Sequence, residues 1–224
     1  MWYAMTETDS SADEREKMVR LQIKARGVRD PEVLAAMQKI PRHLFVPEDC
    51  ERSAYEDRPL PIGEGQTISQ PYIVAVMTEQ LELQPGDRVL EVGAGSGYQA
   101  ALLAELAGSV ISIERLEGLA DRARENLARA GITGVRVVVG DGTEGYPPEA
   151  PYDAIIITAA SPGVPQPLID QLAEGGRLIA PIGPRDCQDL IKLVKHEGRV
   201  ERTSLGGVCF VPLIGQFGWR GEDP

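Results

Sequence analysis

Apolar positions along this chain change their spacing twice, and each change marks a different kind of structure. At the front the spacing is helical. "EREKMVRLQIKARG" predicts a helix from about Asp13 that sets Met18, Leu21 and Ile23 on roughly one face and closes on Gly27. "DPEVLAAMQKI" predicts a second, with Asp30 as cap, Pro31 in the first turn and Pro41 as stop. From Pro41 to Pro71 the chain is dense in Pro and Gly and neither period holds, which predicts an extended, turn-rich wrapper. "YIVAVMTEQLEL" then resumes helical spacing through Ile73, Met77 and Leu81 until "QPGD" ends it.

Beyond that point short apolar runs alternate with helical segments. "RVLEV" precedes "YQAALLAELA", "VISIE" precedes "LADRARENLARAG", "VRVVVG" precedes a Pro-rich loop, and "DAIIITA" precedes "PLIDQLAEGG" and "RLIAPIG". Buried strands joined by helices imply a parallel sheet covered on both faces, because each parallel pair needs a crossover. The expected fold class is therefore α/β, a doubly wound and mostly parallel sheet with an N-terminal helical extension. The late run "DLIKLVKHEGRVERTSLGGVCFVPLIG" lacks helices and predicts an antiparallel edge turning at "HEGR". The expected organisation is one domain over 1–224. It has a disordered tail at 1–12, helices and wrapper over 13–80, the sheet core over 81–215 and a second tail at 216–224.

Composition narrows the function classes. The 224 residues are 42% hydrophobic and 25% charged, enough for one sizeable core. A formal net charge of -11 argues against nucleic acid or an anionic membrane as partner, since both demand basic surfaces. Cys50, Cys187 and Cys209 lie far apart without a CxxC pair, and His43 and His196 are the only histidines, so neither a disulfide framework nor a metal site is expected. The first residues carry no basic segment followed by a long apolar run, and no 18-residue apolar stretch occurs anywhere. A soluble, cytoplasmic protein is expected.

The chemistry concentrates around "VLEVGAGSGYQ". A buried strand runs into Gly93, Gly95 and Gly97 and then a helix, a turn whose backbone a ligand can approach closely. Glu114 ends the next strand, at the distance where an acid accepts from ribose hydroxyls, and Asp141 ends the third. Tyr98 stands where a dinucleotide fingerprint needs its last glycine, which disfavours a dehydrogenase. A G-x-G-x-G loop with two following acids suits S-adenosylmethionine, an adenosine without phosphates. Glu91, inside the first strand, is a candidate to face the methionine ammonium through a water.

"TAASPGVP" after the fourth strand lacks the Asn/Asp-Pro-Pro-Tyr clamp of nitrogen methylation, and no Pro-Cys loop supplies a thiolate. The segments "AYEDRPLPIGEGQTISQPYIVAVMTEQL", "VLEVGAGSGYQAALLAEL", "GDGTEGYPPEAPYDAIIITAA" and "FVPLIG" resemble the protein-L-isoaspartate (D-aspartate) O-methyltransferase family, over nearly the whole chain after Asp13. The resemblance implies an S-adenosylmethionine-dependent enzyme, leaving S-adenosylhomocysteine. It would methylate the free α-carboxylate of isoaspartyl residues in damaged proteins and peptides, starting repair through a succinimide, and would act as a monomer. It places Ser69 in the active site, whereas the residues alone leave Ser69 open between that role and a helix cap. It also brings Thr67, Ile68, Ala94 and Gly142 to the cofactor and Ala159 to the substrate. Val211, Pro212 and Leu213, read as an edge strand, would offer backbone groups to an extended peptide; an edge covered by its own tail is the alternative. His43 and Asp57 read as structural contacts in the wrapper. The competing readings are another class I carboxyl or small-molecule methyltransferase and a non-catalytic cofactor-binding adaptor.

Overall fold

The computed structural model describes residues 5–221, the side chains of 5–10 excepted. Helix α1 spans Met5–Lys17 and α2 Pro31–Lys39. Strands β1 (Leu60–Gly63) and β2 (Gln66–Ile68) pair antiparallel, followed by α3 (Pro71–Gln80). The core then alternates: β3 (Arg88–Val92), α4 (Tyr98–Leu106), β4 (Ser109–Glu114), α5 (Glu117–Arg129), β5 (Val135–Val139), β6 (Tyr152–Ile157), α6 (Gln166–Gln171) and β7 (Leu172–Ile182). Strands β8 (Gln188–His196) and β9 (Arg199–Val208) complete a seven-stranded sheet of order β5-β4-β3-β6-β7-β8-β9. The first five strands in that order are parallel, and β8 and β9 run antiparallel, as the late edge predicts. Glu197 and Gly198, both at positive φ, make the β8–β9 turn at "HEGR".

Helices lie on both faces, but unevenly. On one face α3 and α4 cover Val89, Val110, Ile156 and Ile179, and a second apolar cluster joins α2, α5 and the segment after α1 to the same two helices. The other face, built on Leu90, Ile111, Ile155 and Leu178, has only the short α6 and long loops over it. The Pro-rich segment after β5 folds into two 3₁₀ turns where a full crossover helix would stand, because its prolines lack the N–H groups a longer helix requires.

Three expectations need correction. Residues 5–12, expected within a frayed tail, form the front of α1, whose last turn carries Arg15 and Lys17 where cations complement the helix dipole. The following Met18–Ile23 winds as a π-helix, so residues five apart share a face. Met18 and Ile23 are buried together with Val19, and Leu21 is turned out to 55% exposure. Lastly, α6 ends at Gln171 and β7 begins at Leu172, which pairs with Tyr152 before the register jumps to Ala154 opposite Arg177. The "AEGG" signal marks that irregularity and not the end of a longer helix.

The "GEGQ" turn is the one ordered hairpin in the wrapper. Glu64 and Gly65 take positive φ between β1 and β2, and Arg122 on α5 donates to the Ile62 carbonyl at 2.9 Å, docking the hairpin on the core.

Gly97 joins the loop to α4 at φ +86°, and a Cβ there would lie 3.2 Å from the Ala123 carbonyl and 3.3 Å from Leu127 Cγ on α5. Gly97→Ala is expected to destabilise the fold by about 1–3 kcal/mol through left-handed strain and forced separation of α4 from α5. Chemical denaturation measures it; an unchanged unfolding midpoint would show that the contact relaxes freely.

Candidate active site

The sheet's winding reverses between β3 and β6, and there the carboxyl ends of two neighbouring strands leave a crevice. Gly93 and Thr158 face each other across it. Thr158 Oγ donates to the carbonyls of Val92 and Gly93, at 3.0 and 2.7 Å, and a Cβ on Gly93 would sit 2.4 Å from that oxygen. Only glycine admits this approach, and the loop backbone is thereby held open to the cavity.

Glu114, at the end of β4, sets the loop's shape. Its carboxylate accepts from Gly95 N and from Leu116 N, both at 3.0 Å, while the side chain borders the same cavity. A carboxylate anchored by two backbone donors keeps lone pairs for a further donor. Gly93, Ala94 and Gly95 form the floor beside it, and Gly142 borders the cavity from the loop after β5.

The opposite wall comes from the wrapper: Thr67, Ile68 and Ser69 border the cavity where β2 leads into α3. Gln70 is the residue at the cap of α3, with no side-chain capping bond, and Ser69 Oγ makes no hydrogen bond among the described residues. The capping alternative for Ser69 therefore has no counterpart in the structure. What fixes Ser69 is its carbonyl, which accepts from Arg42 Nη2 at 2.7 Å. Arg42 also donates to the Ala54 carbonyl at 2.8 Å and lies 4.9 Å from the ring of Tyr98. The guanidinium is wholly buried, and burial lowers its pKa to about 10, still well above neutrality. Nearby, Asp57 accepts from Gln70 Nε2 at 2.8 Å and Tyr72 N at 3.1 Å, pinning the start of α3, and His43 Nδ1 pairs with Tyr55 Oη at 2.7 Å. Both are structural contacts in the wrapper.

A wider cleft of about 530 Å³ adjoins this cavity and shares Thr67, Ser69, Thr158, Phe210 and Val211 with it. Ser69 and Thr158 thus stand at the junction of a narrow compartment and an open one. Ala159, Val211, Pro212 and Leu213 border the narrow side. They do so as a back wall and not as an edge strand. Ala160 N donates to the Val211 carbonyl and Leu213 N to the Ala160 carbonyl, both at 2.7 Å, and the edge strand β9 has already ended at Val208. Those two backbone groups are spent internally and are closed to a peptide.

Three further expectations fail on geometry. Glu91 does not border the cavity: strand alternation turns it to the side of Val89, beneath α3 and α4, where it is wholly buried. Ser112 Oγ donates to its Oε2, and Oε1 has no partner among the described residues. Burial pushes this carboxyl up to about 8, opposed by the Ser112 bond and aided by the charge of Glu114. Asp141 turns its carboxylate to the C-terminal segment, accepting from Thr143 N at 2.9 Å, Thr143 Oγ at 2.6 Å and Gln216 N at 2.7 Å. Gly97 serves the α4–α5 packing described above and does not border the cavity. Conversely, Arg42, Thr158 and Phe210 were not legible as site residues. Arg42 and Thr158 act on backbone carbonyls distant in sequence, and no spacing rule encodes such a contact.

The match to known proteins is extensive. Residues 13–218 match the family model described as protein-L-isoaspartate(D-aspartate) O-methyltransferase (PCMT). The chain belongs to this family. It is 76% identical to a protein-L-isoaspartate O-methyltransferase of Methanoculleus marisnigri, over 96% of this chain and 98% of that one. It is 57% identical to a protein of the same name from Methanospirillum hungatei, over 96% and 99%. Among solved structures it is similar to a protein-L-isoaspartate O-methyltransferase with TM-score 0.83 and 33% identity, over 91% of this chain and 67% of that one. It is also similar to a Plasmodium falciparum protein described as a protein-L-isoaspartate O-methyltransferase, in complex with S-adenosyl-L-homocysteine, with TM-score 0.78 and 29% identity over 91% and 98%.

The fold is that of class I S-adenosylmethionine-dependent methyltransferases, and the chain is such an enzyme. Its residues fit the cofactor: a glycine turn at Gly93–Gly95 whose backbone borders the cavity, and beside it Glu114, anchored by Gly95 N and Leu116 N with lone pairs to spare. Gly93–Gly95, Glu114 and Gly142, which border the cavity, are the residues that would hold it.

Glu91 yields a pH prediction. A carboxyl near 8 when folded and near 4.5 when unfolded keeps a proton that the unfolded chain releases, so stability falls as pH rises from about 4.5 to 8 and then levels. Glu91→Gln removes that loss. Relative to wild type it is expected to gain on the order of a few kcal/mol in unfolding free energy at pH 9 compared with pH 4. Parallel denaturation curves across that range would refute a protonated Glu91.

Proposed function

We propose that the enzyme methylates the free α-carboxylate of L-isoaspartyl residues at the junction of its two cavities, with Ser69 as the group that holds the carboxylate. The observation carrying this reading is that Ser69 borders both compartments and has an uncommitted hydroxyl on a fixed backbone. S-adenosylmethionine, when bound, supplies a methyl group on a positively charged sulfur. Everything else required of the protein is positioning and exclusion of water.

The nucleophile needs no base. A carboxylate with an ordinary pKa of about 3.3–4 is ionised at neutral pH, and neither His43, bonded to Tyr55, nor His196, at the far end of β8, borders the cavities. The Ser69 hydroxyl donates one hydrogen bond to a carboxylate oxygen and leaves the other free to react. A cationic side chain there would hold the carboxylate more tightly but would weaken it as a nucleophile. Ile68, Val211 and Leu213 give the junction an apolar border that strips water from the carboxylate. Alignment of this kind contributes up to roughly 7–11 kcal/mol to such reactions. The wider cleft, open past Pro59, Gln70 and Ile73, takes the peptide flanking the isoaspartyl residue. The product ester then cyclises to a succinimide without further help, so the protein releases it, and hydrolysis returns part of it to normal aspartate.

Ser69→Ala tests this assignment. Loss of one hydrogen bond to a charged group is worth about 1.5–3 kcal/mol, so methyl transfer to an isoaspartyl peptide is expected to fall roughly 10- to 150-fold. Melting temperature should hold, since Ser69 Oγ makes no hydrogen bond among the described residues. Near-normal methylation with a lowered melting temperature would reverse the assignment, and equal labelling of an aspartyl twin peptide would refute isoaspartyl specificity.

A further inference from the structure

Cys187 and Cys209 are far apart in sequence yet border the same wide cleft as Ser69, and both are exposed. Antiparallel register brings them there. Gln188 pairs with Val208 at the end of the β8–β9 ladder, so the next residues outward are Cys187 and Cys209, which the same register, continued one step, would set opposite each other. Directly opposed residues on antiparallel strands have Cα atoms about 4.5–5.5 Å apart with side chains on one face, inside the window of about 4.4–6.8 Å that a disulfide spans. The Cys209 thiol already reaches across the gap, donating to the Asp186 carbonyl at 3.0 Å, one peptide unit from Cys187.

A buried amide holds the two segments together. Gln188, 2% exposed, donates from Nε2 to the carbonyls of Pro184 and Arg185, at 2.6 and 3.0 Å, while its Oε1 accepts from Phe210 N at 2.8 Å. One side chain therefore clamps the loop leading into Cys187 to the residue following Cys209. Cys50 is separate, half-buried in the Glu48–Ser53 turn and absent from the border of either cavity.

We propose that Cys187 and Cys209 form a reversible disulfide that controls peptide access to the active site. The co-reactant is a low-molecular-weight disulfide. The thiolate of one cysteine attacks it, forming a mixed disulfide and expelling one small thiolate; the second cysteine thiolate attacks the protein sulfur and expels the other. Two electrons pass to the small disulfide, and the two protons of the cysteines end on the two small thiols. The new bond staples the 184–187 loop to the 209–211 segment, drawing in the border of the wide cleft opposite Ser69. Neither cysteine borders the narrow cavity, and its floor at Gly93–Gly95 and Glu114 lies outside the stapled segments, so cofactor binding is spared although Phe210 and Val211 border both compartments. The access effect rests on the wide cleft being the peptide site; formation of the bond does not.

The experiment treats the full-length protein with oxidised glutathione, alkylates free thiols, maps peptides by mass spectrometry, and measures methyl transfer and S-adenosylhomocysteine affinity before and after. A Cys187–Cys209 cross-link with Cys50 alkylated is expected. Peptide kcat/KM should fall by about an order of magnitude, restored by dithiothreitol, with cofactor affinity unchanged. Cys187→Ser and Cys209→Ser, each compared with its own reduced form, should lose cross-link and sensitivity together, and Cys50→Ser should keep both. Glutathione adducts on both cysteines without a cross-link would overturn the proposal. A cross-link with unaltered kcat/KM, or an equal loss in the serine variants, would overturn the control of access. A reduced enzyme that methylates no isoaspartyl peptide would instead count against the functional assignment, leaving the thiol map readable.

Discussion

The buried guanidinium of Arg42 is the constraint on which the site depends. It joins three pieces of chain that share no local sequence: the Ala54 carbonyl of the wrapper, the Ser69 carbonyl of the front wall, and the ring of Tyr98 at the start of α4. A desolvated cation is costly to bury, and its stabilisation here comes from two carbonyls and an aromatic face, with no carboxylate among its hydrogen-bond partners. That choice suits the chemistry. The positive charge is held beneath the site, behind the Ser69 backbone, with Nη1 left without a hydrogen-bond partner among the described residues, and so fixes the serine without presenting a cation to the incoming carboxylate. Phe45 packs edge-on against Tyr98, closing the arrangement from below.

The back wall is built by a second long-range set of contacts. Ala160 grips Val211 and Leu213, and Trp219 N donates to the Leu213 carbonyl at 2.8 Å. Asp141 and Thr143 then hold Gln216 N and Phe217 N, and Arg185 lies over the Trp219 ring. The C-terminal segment is in this way folded back against the switch point of the sheet. It explains why an acid placed at a strand end, where a ligand contact is the natural expectation, is occupied with the protein's own backbone.

Glu91 and Asp141 show the limit of reading acids from position alone. All three acids sit at or near strand ends, and only Glu114 borders the cavity. Strand alternation decides Glu91, since one residue's difference in register carries a side chain to the opposite face. Competition with backbone donors decides Asp141. Thr158 and Arg42 were illegible for the complementary reason: their partners are backbone carbonyls, and carbonyls carry no sequence signature.

By itself the sequence determined the alternation of strands and helices, the antiparallel late edge, the glycine turn after β3 and the family to which these segments belong. Each of these rests on local period, on turn chemistry or on a contiguous motif, and survives without knowledge of what lies opposite in space. Only the tertiary structure decided which glycines and acids border the cavity, that Ser69 stands between two compartments with its hydroxyl free, and that Cys187 and Cys209 border one cleft. Those facts depend on which faces the strands present and on contacts between residues tens of positions apart, and that information exists only once the chain has closed on itself.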